Sequence, residues 1–301
     1  MPITERKSIV AREPMVAREL TVAKEPIVSD GVVNYLKKRF GMKAPQKGTP
    51  REFVLKTNEV WTFEQDFVLT EVMKYPSCAD IPSTDIPTIQ LVPGKEEIMN
   101  TNVDIEFFPN AEHPLMLPQP LYLRRGTPLS FTGGINITSP SDVKLGFMGY
   151  YPIVDTQHNP VLFGKPYFQI AKFTNVQAST PIAPIAITIQ DWEIFTLTNI
   201  VAIVRKNDTS AVRLLTTDEN FNIKIEISGR TFMHREGHRW LICGTPENPK
   251  FIDPPYENLV GTNIFINIYP AAWGDTDYRT IYIIMYGKMK YDFGKLKSRF
   301  V

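Results

Sequence analysis

Few residues in this chain combine the types and spacing that chemistry needs, and the densest group is His234-Arg235-Glu236-Gly237-His238. On an extended strand alternate side chains share a face, so positions 234, 236 and 238 would bring two imidazoles and a carboxylate together. That is a ligand set for a divalent transition metal. Such a site needs a further ligand from a distant strand, and the remaining histidines, His113 and His158, stand in no motif. Gly237 also favours a turn, which would scatter the three side chains and leave a polar loop. The apolar run behind it, Trp240-Leu241-Ile242, reads as a buried strand. No metal is assigned, His234, Glu236 and His238 are kept as the only candidates, and no cofactor or catalytic residue is expected.

Other chemistry is thinner still. The two cysteines, Cys78 and Cys243, make neither a disulfide framework nor a zinc site and read as buried thiols. No nucleophile elbow, dinucleotide fingerprint, P-loop, HExxH or Cys-x-x-Cys is present. Glu96-Glu97 and the pair Asp275 and Asp277 are loop carboxylates whose spacing alone gives them no role in glycoside hydrolysis. Gly126-Thr127 and Gly261-Thr262 precede strands rather than helices, so they predict tight turns and not phosphate loops. Trp273 and Tyr278, in the loop between residues 270 and 280, are the aromatics best placed to stack on a sugar or to anchor a subunit contact.

The elements that position these residues follow from a repeat. One copy reads Pro118-Gln119-Pro120, then Gly126-Thr127-Pro128-Leu129-Ser130-Phe131, and closes on Phe147-Met148-Gly149-Tyr150. The other reads Asp253-Pro254-Pro255, then Gly261-Thr262-Asn263-Ile264-Phe265-Ile266, and closes on Met285-Tyr286-Gly287-Lys288. Pro120 and Pro255 each stand six residues before their glycine, and a tryptophan, Trp61 or Trp192, precedes each copy. A period of more than about a hundred residues means duplication of a whole domain rather than a solenoid.

Each copy is a series of short β-branched and aromatic runs punctuated by Pro, Gly, Asn or Asp. Val60-Trp61-Thr62-Phe63 and Ile89-Gln90-Leu91-Val92 are examples from the first, Phe221 to Ile227 and Ile281 to Tyr286 from the second. The predicted fold is all-β: two tandem antiparallel β-sandwiches of jelly-roll type, with an extended N-terminal arm and one short helix. The expected organisation is an arm, helix and linker over 1–50 and a first sandwich over 51–150. An irregular connector over 151–182, a second sandwich over 183–292 and a basic tail over 293–301 follow.

The arm has its own, finer repeat. Val10-Ala11-Arg12-Glu13-Pro14 recurs as Val16-Ala17-Arg18-Glu19-Leu20 and Val22-Ala23-Lys24-Glu25-Pro26, and Val28 opens a fourth unit. A period of six suits neither helix geometry nor Pro14 and Pro26, but in an extended chain the four valines share a face. Val10, Val16, Val22 and Val28 are expected to seat in a groove that repeats, on this chain or as contacts to neighbouring subunits, the alternative being a flexible charged leader. Ser29-Asp30 then caps a short amphipathic helix ending near Gly41.

Composition limits the partners. Lysines and arginines number 33 against 32 acidic residues, so no long-range field favours nucleic acid as the main partner. The first thirty residues lack the apolar core of a signal peptide, and no run is long enough to span a membrane. A soluble protein made in a cytoplasm is expected.

The pattern Pro…Gly-Thr-x-Leu-x-Phe, a turn-rich loop and a strand ending in Gly-aromatic resembles β-sandwich structural proteins of bacteriophage and other virus particles. The likeness covers about residues 52–150 and 183–292, and the tandem duplication is similar to double jelly-roll capsid subunits. It implies a non-enzymatic virion component, located in the particle, that self-assembles and contacts other virion proteins while its arm straps neighbours together. The alternatives are a carbohydrate-binding or adhesin module presenting Trp273 and Tyr278 to glycans, and a metal-dependent cupin-like enzyme centred on His234 and His238.

Overall fold

The computed structural model describes residues 50–56, 59–74, 88–94, 97–133, 144–152, 164–206, 220–228, 230–231, 235–273 and 278–292. The arm with Val10, Val16, Val22 and Val28, the short helix, the basic tail, Cys78 and His234 lie outside them.

The first sandwich comprises β1 (Pro50–Lys56), β2 (Val60–Thr62), β3 (Phe67–Lys74), β4 (Thr88–Pro93), β5 (Val103–Asp104), β6 (Leu115–Leu123), β7 (Pro128–Gly133) and β8 (Lys144–Tyr150). The second comprises β9 (Lys165–Val176), β10 (Ile185–Ile189), β11 (Glu193–Lys206), β12 (Phe221–Ile227), β13 (Arg230–Thr231), β14 (Gly237–His238), β15 (Lys250–Leu259), β16 (Thr262–Pro270) and β17 (Arg279–Tyr291). A one-turn 3₁₀ helix, η1 (Ile105–Phe107), lies before β6, and a one-turn α-helix, α1 (Arg239–Ile242), lies before β15.

Strand order reveals the duplication. The first sandwich pairs β1-β8-β3-β6 in one sheet and β2-β7-β4-β5 in the other. The second pairs β9-β17-β11-β15 and β10-β16-β12-β13, with β14 also on β12. Strand for strand the orders superpose, and the alternation of successive strands between two antiparallel sheets is the jelly roll.

The repeated sequence marks fall on matching places. Gly126 and Gly261 have φ of 78° and 54°, a left-handed backbone that suits glycine, and they turn the chain toward β7 and β16. Each donates its amide to the carbonyl that follows the neighbouring strand, Gly126 to Phe63 at 2.8 Å and Gly261 to Gln190 at 3.1 Å. In both copies the register also slips at a threonine, Thr70 between Leu69 and Glu71 and Thr198 between Leu197 and Asn199. Each bulge threonine donates its hydroxyl to the opposite strand, Thr70 to the Met148 carbonyl at 3.2 Å and Thr198 to the Tyr286 carbonyl at 3.0 Å. Beside each bulge stands the closing glycine of the repeat. A Cβ on Gly149 would lie 2.1 Å from the Val68 oxygen, and one on Gly287 1.8 Å from the Thr196 oxygen. The tryptophans, by contrast, are not equivalent: Trp61 lies within β2, whereas Trp192 sits in the turn before β11.

Three expectations are corrected. Residues 165–176, placed in an irregular connector, form a strand of 12 residues that is the counterpart of β1. Its run Pro166-Tyr167-Phe168-Gln169-Ile170 is buried on both sides, so it lacks the alternation by which one-sided strands are recognised. The alternating run Val103 to Phe107 leaves the sheet after Asp104, whose carboxylate accepts the Glu106 amide at 2.9 Å and starts η1. Trp240-Leu241-Ile242 is helical rather than a buried strand, with only Ile242 buried.

The two sandwiches share packing. In β12 the burial alternates, with Phe221, Ile223, Ile225 and Ile227 inward, as expected of a sheet with one solvated face. In β9, β11 and β17 the runs 165–171, 199–205 and 279–287 are buried without interruption. Ala171, Phe173, Ile281 and Ile283 belong to the core of the second sandwich. Phe168, Ile170, Val201, Ile203, Tyr282, Ile284 and Tyr286 belong to the core that contains Phe107, Phe131 and Phe147 of the first. Each such side chain removed from water is worth about 1.5–3 kcal/mol, and residues 44–301 accordingly gather into one unit.

Candidate functional site

Of the histidine motif, Glu236 and His238 fall within the described residues. Glu236 is exposed, at 3.5 Å from the Asn222 side-chain amide that donates to it. His238 lies in β14 opposite Asn222, half-buried, and leads into α1. Among the described residues no three His, Cys, Asp or Glu side chains converge as a metal site. Cys243 is fully buried, and that burial, slightly offset by Arg239, pushes its thiol up to about 12, far from a reactive thiolate.

The aromatic loop is split in role. Trp273 is half-buried against the second core, donates its indole N–H to the Asn220 carbonyl at 3.3 Å and has the Arg279 guanidinium 5.1 Å from its ring centre. It is built into the sandwich rather than presented. Tyr278 is exposed.

Two places carry the structural chemistry that the repeat does not explain. The first is the junction of the sandwiches. Asp104, at the end of β5, and Arg205, near the end of β11, are both buried and form a bidentate ion pair, Nε to Oδ2 and Nη2 to Oδ1, the latter at 2.6 Å. Burial works against the charged guanidinium, but the Asp104 carboxylate outweighs it, and Arg205 is held more firmly protonated than usual. Burial and the Asp104 charge also raise the neighbouring Tyr282 hydroxyl well above its ordinary range. Around the pair, Phe107 packs edge-on against Phe168 and Tyr286, at 5.5 and 6.0 Å between ring centres. Asn100 adds two bonds to the Ile170 backbone, accepting its amide at 2.8 Å and donating to its carbonyl at 3.2 Å. Lys165 donates to the Glu97 carbonyl at 2.7 Å. The junction is thus buried and aromatic, with polar bonds at its edges.

The second is an apolar surface on the second sandwich. Trp240, Leu241 and Phe251 remain 41%, 70% and 70% exposed, and Trp240 and Phe251 border a depression of about 450 Å³ that Thr245, Asn248 and Lys250 complete. The Arg239 guanidinium lies 4.0 Å from the Trp240 ring centre and fixes the indole. Phe251 faces Asn199 across the sheet, just as the equally exposed Met116 faces Glu71 in the first sandwich. Clustered exposed aromatics of this kind mark contact surfaces.

Sequence reasoning missed both places. Asp104 and Arg205 are 101 residues apart and stand in no motif. Trp240 and Leu241 were assigned to the interior because an apolar triplet reads the same in a buried strand and a half-exposed helix.

No family model and no curated protein matches the chain. Solved structures give weak likenesses over most of the chain. The STIV major capsid protein is 13% identical, with 85% of this chain and 96% of that one covered and a TM-score of 0.40. A chain in the atomic structure of Sulfolobus Turreted Icosahedral Virus is 10% identical over 82% of this chain and 93% of that one, with a TM-score of 0.38. The N-glycanase F (PNGase F) structure is 9% identical over 81% and 94%, with a TM-score of 0.31. These likenesses concern the fold alone.

Proposed function

We propose that this chain is a non-enzymatic structural subunit of a virus particle, self-associating through its β-domains and strapped to neighbouring copies by its N-terminal arm. The observation that carries the reading is the strand-for-strand duplication of a jelly roll with one core bridging the two copies. Jelly rolls serve chiefly as capsid, lectin and cupin scaffolds. A binding module or an enzyme spends its sequence on an open, polar, convergent site. Among the described residues, the ion pair of Asp104 with Arg205 is sealed inside the junction and not at an open site. The exposed apolar cluster at Trp240, Leu241 and Phe251 further favours a protein partner.

The arm completes the reading. Val10, Val16, Val22 and Val28 recur every six residues, a spacing that suits a groove repeated on identical subunits. Removing residues 1–28 is expected to leave the circular dichroism and thermal midpoint of the β-domains intact while reducing assembly at matched concentration. Assembly of the truncated chain indistinguishable from that of the full chain would refute the strap. Binding on a glycan array that disappears with Tyr278→Ala would instead favour the adhesin reading.

A further inference from the structure

We infer that the groove for the N-terminal arm is the depression bordered by Trp240 and Phe251, and that a basic-Glu-apolar unit of one copy's arm seats there on a neighbouring copy. The inference rests on the strap reading above and names the site that would serve it.

The occupant is read from the arm's repeat. Each of its first three hexads continues past Val-Ala with the same kind of triplet: Arg12-Glu13-Pro14, Arg18-Glu19-Leu20 and Lys24-Glu25-Pro26. A groove that selects this unit must offer an apolar surface for Pro or Leu, a cation for the Glu and an anion for the Arg or Lys. Six residues of extended chain span about 20 Å, so each small groove takes one unit, and successive units fall to successive grooves. From Pro26 to Pro50, where the described chain begins, 24 residues span at most about 80 Å, enough to reach a neighbouring copy.

The depression meets the three demands together. Trp240 and Phe251 are exposed at its border, and Pro249 adds to its apolar lining. Lys250 lines it as well, and Glu247 stands in the turn that forms its rim. Both charged residues are exposed, and among the described residues neither takes part in an ion pair. Lys250 suits the Glu of the arm unit and Glu247 its basic residue. A polyanion would meet Glu247, and a wholly apolar segment would leave Lys250 stripped of water without a partner.

The site is formed before any partner arrives. Thr245 donates its amide to the Asn248 carbonyl at 3.0 Å and accepts the Asn248 amide at 3.1 Å. Gly244 donates to the Ile200 carbonyl at 3.0 Å and accepts the Ala202 amide at 3.1 Å, which ties the floor to β11. A Cβ on Gly244 would lie 2.2 Å from the Asn248 oxygen, so the turn closes over it only because it is glycine. The Arg239 guanidinium, itself buried, holds the Trp240 ring from beneath. Preformed aromatic grooves of this kind take extended, proline-bearing segments at little entropic cost.

The test uses the full chain. Its forms are unaltered, Trp240→Ala, Lys250→Glu, the arm triple Glu13→Lys with Glu19→Lys and Glu25→Lys, and the charge swap that joins the arm triple to Lys250→Glu. A control joins the arm triple to Lys56→Glu, an exposed lysine of β1. Thermal midpoints confirm that each folds, and mass is read by light scattering after size exclusion across a concentration series. Trp240→Ala, Lys250→Glu and the arm triple are each expected to need about a 10-fold higher concentration to associate. The charge swap is expected to return to the unaltered concentration, and the control is not. Unchanged association of Trp240→Ala and Lys250→Glu, or equal rescue by the control, overturns the inference. Weakened association of the depression variants without rescue by the swap also overturns it, since a different segment then fills the depression. Deletion of residues 1–28 judges the strap separately: if it weakens association while Lys250→Glu and Trp240→Ala do not, the strap stands and this groove falls.

Discussion

The outer sheet of the second sandwich and its twin in the first follow one strand order but face different surroundings. In β9, β11 and β17 both faces are apolar and covered, one by the second sandwich and the other by η1 and its neighbours. In β1 and β8 the inward face is Phe53, Leu55, Leu145 and Phe147, while the outward face carries Glu52, Lys56 and Lys144. Duplication copied the backbone devices, the bulge threonine, the closing glycine and the turn glycine, because they are required by sheet geometry whatever lies outside. The outward residues diverged because they answer to the neighbour.

The largest way to break this comparison is at the junction that only one of the two sheets possesses. Asp104→Ala leaves Arg205 charged and unpaired in a buried interface, and loss of one partner of a buried pair costs about 3–5 kcal/mol. Denaturant unfolding is expected to show that loss. The double change Asp104→Leu with Arg205→Met should recover most of it, and a double change as unstable as the single one would contradict the assignment.

Next come the two bulge glycines. Gly287→Ala and Gly149→Ala each press a Cβ into a backbone oxygen, with an expected cost of about 3 kcal/mol by overpacking. Gly287 should cost more, since its strand is confined from both sides. Equal, small losses would show that the bulges relax freely. A milder probe is Thr198→Val beside Thr70→Val, which removes the hydroxyl that reaches the opposite strand in each bulge, and at Thr198 also its 2.7 Å bond to the Asn199 side-chain oxygen, for about 1 kcal/mol apiece. Similar losses at the two sites are expected if the bulges are one device used twice.

The smallest effect is electrostatic. Burial, with Lys290 nearby, lowers Lys288 to about 8. Its folded value lies below the ordinary lysine value, so between them the unfolded chain binds more protons and stability rises with pH, from about 8 to about 10.4. Below that window the charged Lys288 is a standing cost. Lys288→Met is expected to be more stable than the unaltered chain at pH 7, with the difference shrinking toward pH 10.4. A difference that stays constant with pH would remove the electrostatic explanation.

What could be read from the sequence was the part fixed by local geometry. Pro120 and Pro255, Gly126 and Gly261, and Gly149 and Gly287 lie at equivalent positions because a turn or a bulge demands its residue type wherever the chain repeats it. β9 escaped because a strand covered on both faces loses its period-2 signature, and Pro166 at its start reads as a breaker. The ion pair escaped because its partners meet only after two sandwiches have packed. The apolar triplet at Trp240 was seen but misplaced, since a one-turn helix is too short to reveal its period. Of the candidate ligand set, Glu236 is exposed and His238 stands with Gly237 in β14, while His234 lies outside the described residues.

The most direct measurement is the solution mass of the full-length chain by light scattering after size exclusion, followed over a concentration series. The account predicts species heavier than the 34.3 kDa protomer that grow with concentration toward a defined assembly or a filament. A single 34.3 kDa species at every concentration would contradict it.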